Sequence, residues 1–446
     1  MSFLVVLALI AGLPVVPRRW RIAAILPSSI LQIYPPGLGL GDSPVSLVFV
    51  LSCSFWPDAI REARSIINFR PTLALLGLVL VTILSFCWSV DLHLALAALS
   101  NLLGFLIVYA GFTAQSRRGA EWIVRGTRLM ALAALFLAFS VVAFRLLPLV
   151  KMGFLQSPIG SIFINANVLN ELFLDGKNNV FDPLKSGGFG FVNANVASTE
   201  LGMLAMMLFG VSRAYGDRLL LISSIVLIGV IPFTGSKAGI MLIGAMCGLL
   251  YLLYLFRKGG VAQGFLAISG GLVILLLLGL LGPIETRSSA AGFGSEVQGT
   301  TDTRFLIWEF AVSSLAKSPL LGQGFGGWQA TFPAYARQVG LSPNFPPHNT
   351  FLYLWSQSGI LAMLLGLCFA VAVLKRAFAQ IRHVDDECRG LALALGMGFL
   401  WLTSQGLGEN LGLLGETHMA PVLAAMMALF RARLVAFDAK TDRNNA

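Results

Sequence analysis

The chain has 446 residues, 57% of them hydrophobic and only 12% charged, with a formal net charge of +10. A soluble domain carries about 25% charged residues, so a soluble enzyme is excluded. Nucleic acid is not the expected partner either, because the basic residues stand in short clusters between apolar runs, the pattern that orients membrane proteins.

Runs of roughly 18 or more apolar residues recur along the chain, each long enough to cross a bilayer core as a helix. Lipid offers the backbone no hydrogen bonds, so a span must be a helix or part of a closed barrel. The runs are continuous rather than alternating, which selects helices. The expectation is an all-α polytopic membrane helix bundle, one integral membrane domain over 1–446. In chain order the candidate spans are 1–16, 22–40, 44–57, 71–90, 92–114, 128–148, 193–211, 219–235, 237–256, 263–283, 350–374, 391–411 and 415–431. The first three are short or broken by Pro14, Pro27, Pro35 and Pro36, and one of them is open to a re-entrant reading, so about 12–13 spans are expected. The first run has no basic residues before it, so no cleaved signal peptide is expected.

Basic clusters fix the sidedness. They lie at Arg18–Arg21, Arg61–Arg70, Arg117–Arg128, Arg213–Arg218, Arg257–Lys258, Lys375–Arg389 and Arg431–Arg443. If the spans alternate, all of these fall on one side, the cytoplasm by the positive-inside rule, and the C-terminus with them. The opposite side holds loop 149–192, the turn Pro232–Lys237, the large loop 285–349 and a short turn near Gly412–Glu416. Structureless loops beyond about 12–15 residues are uncommon in compact domains and are usually functional or disordered. Loop 149–192 carries Phe154, Phe163, Phe173, Phe181, Phe189 and Phe191, more apolar bulk than a solvated linker needs, so it is expected to fold back onto the membrane surface. In 285–349, residues 303–316 have the spacing of an amphipathic helix with Phe305, Trp308, Val312 and Leu315 on one face. Thr301 or Asp302 is its expected cap and Ser318-Pro319 its end. The run Gly322–Gly327 is expected to be a flexible or tightly turned connection.

The candidate functional residues face the same extracytoplasmic side. His348 follows Pro346-Pro347 and precedes Asn349, a good N-cap for the next apolar helix. A helix N-terminus favours an anion nearby and holds an adjacent histidine neutral, able to accept a proton. The alternative is an interfacial polar residue filling a loop-to-helix junction. In Gly235-Ser236-Lys237 a lysine opens a helix, an unfavourable place for a cation that makes sense if an anion binds there; the alternative is a snorkelling anchor. Arg304 offers a planar fork for phosphate, or a surface pair with Asp302 or Glu309. Asn195 and Glu200 open the span 193–211, and Glu200 is costly there unless paired or wetted. Glu409, Glu416 and His418, near the ends of the last spans, carry the same ambiguity.

No GxxxxGK[ST] loop, HExxH or GxSxG motif occurs. The five cysteines form no CxxC and have no histidine at ligand spacing, so neither a zinc site nor a disulfide framework is expected. The chemistry is expected to need no metal, no cofactor and no ATP.

Taken together, the ordered set Gly188-Phe189-Gly190-Phe191-Val192-Asn193-Ala194-Asn195, Phe233-Thr234-Gly235-Ser236-Lys237-Ala238-Gly239, Arg304 with Trp308, Ser318-Pro319-Leu320-Leu321-Gly322-Gln323-Gly324 and Pro347-His348-Asn349-Thr350-Phe351-Leu352 leading to Gly359 resembles the O-antigen ligase and polymerase superfamily of bacterial inner-membrane glycan-transfer enzymes. The resemblance covers roughly 180–375. It implies a metal-independent membrane glycosyltransferase without a nucleotide-sugar domain. Such proteins take a glycan from an undecaprenyl-pyrophosphate carrier at the periplasmic face, in O-antigen or exopolysaccharide synthesis. Ligases pass it to the lipid A–core and polymerases to another lipid-linked repeat, in the bilayer and alongside other polysaccharide-assembly proteins. By motif position, Lys237 and Arg304 would hold the pyrophosphate and His348 would assist the acceptor hydroxyl. Ser236, Asn349, Asn195 and Glu200 are the further substrate-binding candidates. The sequence departs from the family at Lys237, where arginine is usual, and at Gln357-Ser358, where an acidic residue is often found. A transporter or permease for a polysaccharide precursor or small anion is the alternative; it predicts an internal repeat and midplane partners, and no repeat of fixed period is present.

Overall fold

The computed structural model describes residues 2–40, 43–175, 181–258, 290–381, 385–409 and 411–445. The expected span 263–283 lies outside these. The protein is all-α, apart from a two-residue antiparallel pairing of Gly39–Leu40 with Ser43–Pro44.

The first half contributes helices α1 (Ser2–Gly12), α2 (Arg18–Leu31), α3 (Leu47–Cys53), α4 (Trp56–Ile67), α5 (Arg70–Ser85), α6 (Leu92–Ser116) and α7 (Glu121–Leu146), followed by the short α8 (Pro148–Gln156), α9 (Gly160–Phe163) and α10 (Ala166–Asp175). The second half contributes α11 (Ala194–Tyr215), α12 (Arg218–Val230), α13 (Lys237–Lys258), α14 (Ala290–Lys317), α15 (Gly327–Gln338), α16 (Thr350–Ser358), α17 (Ile360–Ala379), α18 (Asp386–Gly406) and α19 (Ala420–Asn445). Among the described residues, α6, α7, α11 and α17 are each long and apolar enough to cross a membrane, and α4 with α5 makes a fifth if that pair, bent by 116°, is one span. The expected spans 237–256, 391–411 and 415–431 fall on long helices, α13, α18 and α19, and the remaining described ones correspond to shorter or interrupted helices. The clearest interruption is in the span expected at 350–374, which Gly359 divides into α16 and α17 with φ +84° and ψ 177°.

Helix α11 is the centre of the bundle, with 83% of its most apolar window buried. It lies against α18, where Gly202 faces the indole of Trp401, Gly210 faces the Ala394 backbone and Gly390 faces the Ala214 backbone. Small residues on both sides let two backbones approach closely, the usual route to tight packing where lipid removes the hydrophobic drive between helices.

The basic loops expected on one side touch one another. Arg18 pairs with Asp58, and Arg117 lies 3.3 Å from Glu62 and donates to Ser65. Arg431 reaches the same Ser65, Arg433 grips Asp385 through two nitrogens at 2.9 Å, and Arg128 pairs with Asp217.

Loop 149–192 folds onto the bundle through a row of phenyl rings, Phe144 to Phe154 to Phe163 to Phe189 to Phe136, at centroid distances of 5.0–6.4 Å. Part of the apolar excess read in its sequence is used in this packing, while Phe173 and Phe181 stay exposed.

Two expectations for 285–349 are corrected. The helix already runs from Ala290, where the described residues resume, through 303, so Thr301 and Asp302 lie inside it and not at its N-cap position. Its buried face is Ile307, Ala311 and Leu315, while Phe305 and Val312 are exposed. Two apolar stripes overlap in that window, and packing against Trp328, Phe332 and Ala336 of α15 selects the one that is buried. The expected end after Lys317 holds. The glycine run beyond it is tightly turned, with positive φ at Gly322, Gly324 and Gly326. It is wedged into the α16–α17 break: Gln323 N donates to Ser356 O at 2.7 Å, Ile360 N to Pro319 O at 3.0 Å, and Trp355 Nε1 to Pro319 O at 2.9 Å.

Candidate functional site

His348 is held from both sides. Before it, Pro347 O accepts a hydrogen bond from Trp308 Nε1 of α14 at 3.0 Å. After it, Asn349 caps α16, its Oδ1 accepting from Phe351 N at 2.9 Å and Leu352 N at 3.1 Å. The Asn349 amide also donates to Leu407 O at 3.2 Å, tying this junction to the end of α18. His348 itself has φ +48°, a left-handed conformation uncommon for a residue with a Cβ. Outliers of this kind cluster at functional sites, where the surroundings enforce them.

The imidazole Nδ1 stands 3.5 Å from Glu409 Oε2. The other oxygen of the same carboxylate accepts from Arg304 Nη2 at 2.6 Å and from Asn195 Nδ2 at 2.7 Å. Glu409 therefore gathers three of the residues singled out in the sequence, from three separate elements. The Glu409 side chain is 6% exposed, whereas Arg304 and His348 are 24% and 22% exposed, so the carboxylate is the buried anchor and the two other groups face outward. Only one guanidinium nitrogen meets Glu409, which leaves further donors of the fork for a ligand. Gly408, beside Glu409, packs against the guanidinium: a Cβ there would lie 3.4 Å from Arg304 Nη1, in ordinary contact.

Lys237 opens α13 after a turn built by its neighbours. Thr234 Oγ1 accepts from Ser236 N at 3.1 Å, Ser236 Oγ accepts from Gly239 N at 3.2 Å as the helix cap, and Gly235 takes φ +75°. Ser236 is buried, so its role is to shape the helix end. Ser186 N donates to Thr234 O at 3.0 Å, docking loop 149–192 on this turn. That docking brings more cations. Lys185 is on the same strip, and Lys151 Nζ donates to Asp182 O at 3.2 Å and Lys185 O at 3.0 Å. Burial pushes the Lys151 ammonium below its ordinary pKa, with Asp182 opposing the shift. Helix α13 then passes close to α11, with Gly239 set against Ser198. Ser198 is one turn beyond Asn195 and accepts from Gln405 at 3.3 Å.

Glu200 is not brought to this cluster. It is fully buried, and its Oε2 lies 3.8 Å from His418 Nε2. Five residues at 100° per residue turn it well away from the Asn195 face of the helix. Glu409, in contrast, is the member that sequence reasoning left undecided. Its signal was a carboxylate at the end of an apolar run, a placement that requires a partner, and its partners are remote in sequence.

No curated protein matches the chain. Residues 222–367 match the family described as O-antigen ligase, a stretch that includes Ser236, Lys237, Arg304, His348 and Asn349. Over that stretch this multi-helix membrane protein is similar to the O-antigen ligases, in agreement with the superfamily that its ordered motifs resemble.

Proposed function

We propose that this protein transfers a glycan from an undecaprenyl-pyrophosphate carrier to an acceptor sugar hydroxyl at the periplasmic face of the bacterial inner membrane, as an O-antigen ligase or polymerase. The observation that carries this reading is the convergence of Arg304, His348 and Asn195 on Glu409.

In the reaction the acceptor oxygen attacks the anomeric carbon and the bond from that carbon to the pyrophosphate oxygen breaks. Negative charge develops on the leaving pyrophosphate. Preorganised cations near a low-dielectric membrane stabilise it at no reorganisation cost; Arg304 and Lys237 are assigned this role. The acceptor's proton goes to His348 Nε2. With Nδ1 turned to Glu409, the carboxylate favours the tautomer that carries hydrogen on Nδ1 and leaves Nε2 free to accept. A base oriented by a third group is the general arrangement for activating a hydroxyl nucleophile. The 3.5 Å approach is looser than a hydrogen bond, and such contacts tighten when substrate is bound. The phosphosugar bond is already activated, so no further energy input is required.

The test is transfer by the purified protein in lipid, given an undecaprenyl-pyrophosphate-linked glycan and an acceptor saccharide. Product is expected with wild type and is lost in His348→Ala and Arg304→Ala at normal membrane levels; product from both variants would refute the assigned roles. The lipid-linked pool of a deletion strain separates the two activities: long chains on the carrier mean ligase, single repeats mean polymerase.

A further inference from the structure

A cavity of about 360 Å³ lies beside the Glu409 cluster, between α2, α5, α6, α16 and the segment before α19. That volume is within the range of roughly 300–1,000 Å³ typical of small-molecule sites. Two walls of it continue directly from the candidate site. Thr350, two residues after His348, lines it, as does Gly412, three residues after Glu409. A chain spans at most about 3.6 Å per residue, so the cavity begins within about 7 Å of the His348 backbone and about 11 Å of the Glu409 backbone.

Its lining contains buried polar groups with unused hydrogen-bonding capacity. Gln357 is 1% exposed and Gln32 6%. Gln357 Oε1 and Gln32 Nε2 are both buried without a hydrogen-bond partner. Leaving such a group unsatisfied is unfavourable. Asn101, also in the lining, accepts from Thr417 at 2.6 Å and keeps its amide donors. Among the described residues no lysine or arginine lines the cavity, and its one carboxylate is Glu416. A phosphate would find no cation there. A prenyl chain would leave the glutamines unsatisfied. A neutral sugar fits both facts: each hydroxyl donates and accepts, and the C–H face of a pyranose matches the apolar remainder, which includes Leu78, Leu102, Phe325 and Leu354.

We infer that this cavity is a neutral saccharide subsite, in which Gln357, Gln32 and Asn101 bind the hydroxyls of a sugar residue next to the reacting centre. The inference rests on the glycan-transfer reading and separates the two halves of the substrate: charge on the Arg304 and Lys237 side, uncharged sugar in the cavity.

Saturation-transfer NMR on the full-length protein in lipid nanodiscs tests it, with a panel of neutral methyl glycosides as probes. Wild type is expected to saturate at least one glycoside, and Gln357→Leu and Gln32→Leu to weaken that binding by about tenfold or more, with the thermal midpoint retained. Asn101→Leu reads the same lining should Gln357→Leu fail to fold. No saturation of any glycoside by wild type, or unchanged affinity in folded variants, would overturn the inference; so would saturation of farnesol in place of the glycosides, which would make the cavity a prenyl site. Undecaprenyl pyrophosphate binding, measured in parallel, is expected to be unchanged in these variants. Its absence in wild type would count against the glycan-transfer reading, while glycoside binding would still report on the cavity. A lipid-linked monosaccharide that displaces the glycoside assigns the subsite to the donor sugar, and simultaneous binding assigns it to the acceptor; either outcome supports a saccharide subsite.

Discussion

Arg304 and Glu409 meet across 105 residues of sequence, with Nη2 donating to Oε1 at 2.6 Å. The carboxylate is the more buried partner and the arginine the more exposed one. This one pair also positions the rest of the site, because Asn195 and His348 reach the same carboxylate.

Glu409→Gln removes the charge and keeps the shape. Glu409 acts through other residues, so kcat is expected to fall about 10²-fold from misplacement of His348 and Arg304, with KM for the acceptor changed less. Steady-state transfer kinetics check the split. Equal loss of transfer and of folded protein would point to a purely structural role. Glu409→Asp is expected to recover part of the rate.

His348→Asn tests the backbone and the chemistry separately. Asparagine tolerates a left-handed conformation better than most residues, so the junction before α16 is expected to survive. Transfer is expected to fall by about 10²–10⁴-fold, the usual worth of a general base. Initial rates, with a circular-dichroism melt as the fold control, decide it.

Lys237→Arg keeps the charge and restores the guanidinium fork usual in the resembled family. Transfer is expected to be retained. Lys237→Ala is expected to raise KM for the lipid-linked donor by about tenfold or more, since hydrogen bonds to charged groups are worth about 1.5–3 kcal/mol. Donor titrations at fixed acceptor measure it. An unchanged donor KM in Lys237→Ala would leave the lysine as a membrane anchor.

Gly359→Ala places a Cβ against Leu320 O in a backbone region (φ +84°, ψ 177°) that is nearly exclusive to glycine. The strain is expected to cost about 1–3 kcal/mol and to loosen the wedge formed by Pro319, Leu320 and Leu321. A lowered thermal midpoint in detergent, with faster proteolysis after Lys317, is the expected result.

What the chain alone determined is what depends on near neighbours and on lipid as a solvent. Continuous apolar runs required helices because lipid cannot satisfy a free backbone, and the charge clusters marked loops that do touch one another. Asn349 was recognisable as a cap, and Gly322–Gly327 as a turn, because caps and turns close hydrogen bonds within four residues. Loop 149–192 was recognisable as a folded element from its excess of phenylalanine. Tertiary structure decided the remainder. The buried stripe of α14 was set by α15, since two apolar faces in one window are equal until a partner packs on one. Glu200 was turned away from Asn195 by helix geometry and met His418 across the bundle. Glu409 became the centre of the candidate site only because helix packing brought together His348, Arg304 and Asn195, which are 61, 105 and 214 residues away in sequence. A buried carboxylate announces that it needs partners, and only the fold determines which ones reach it.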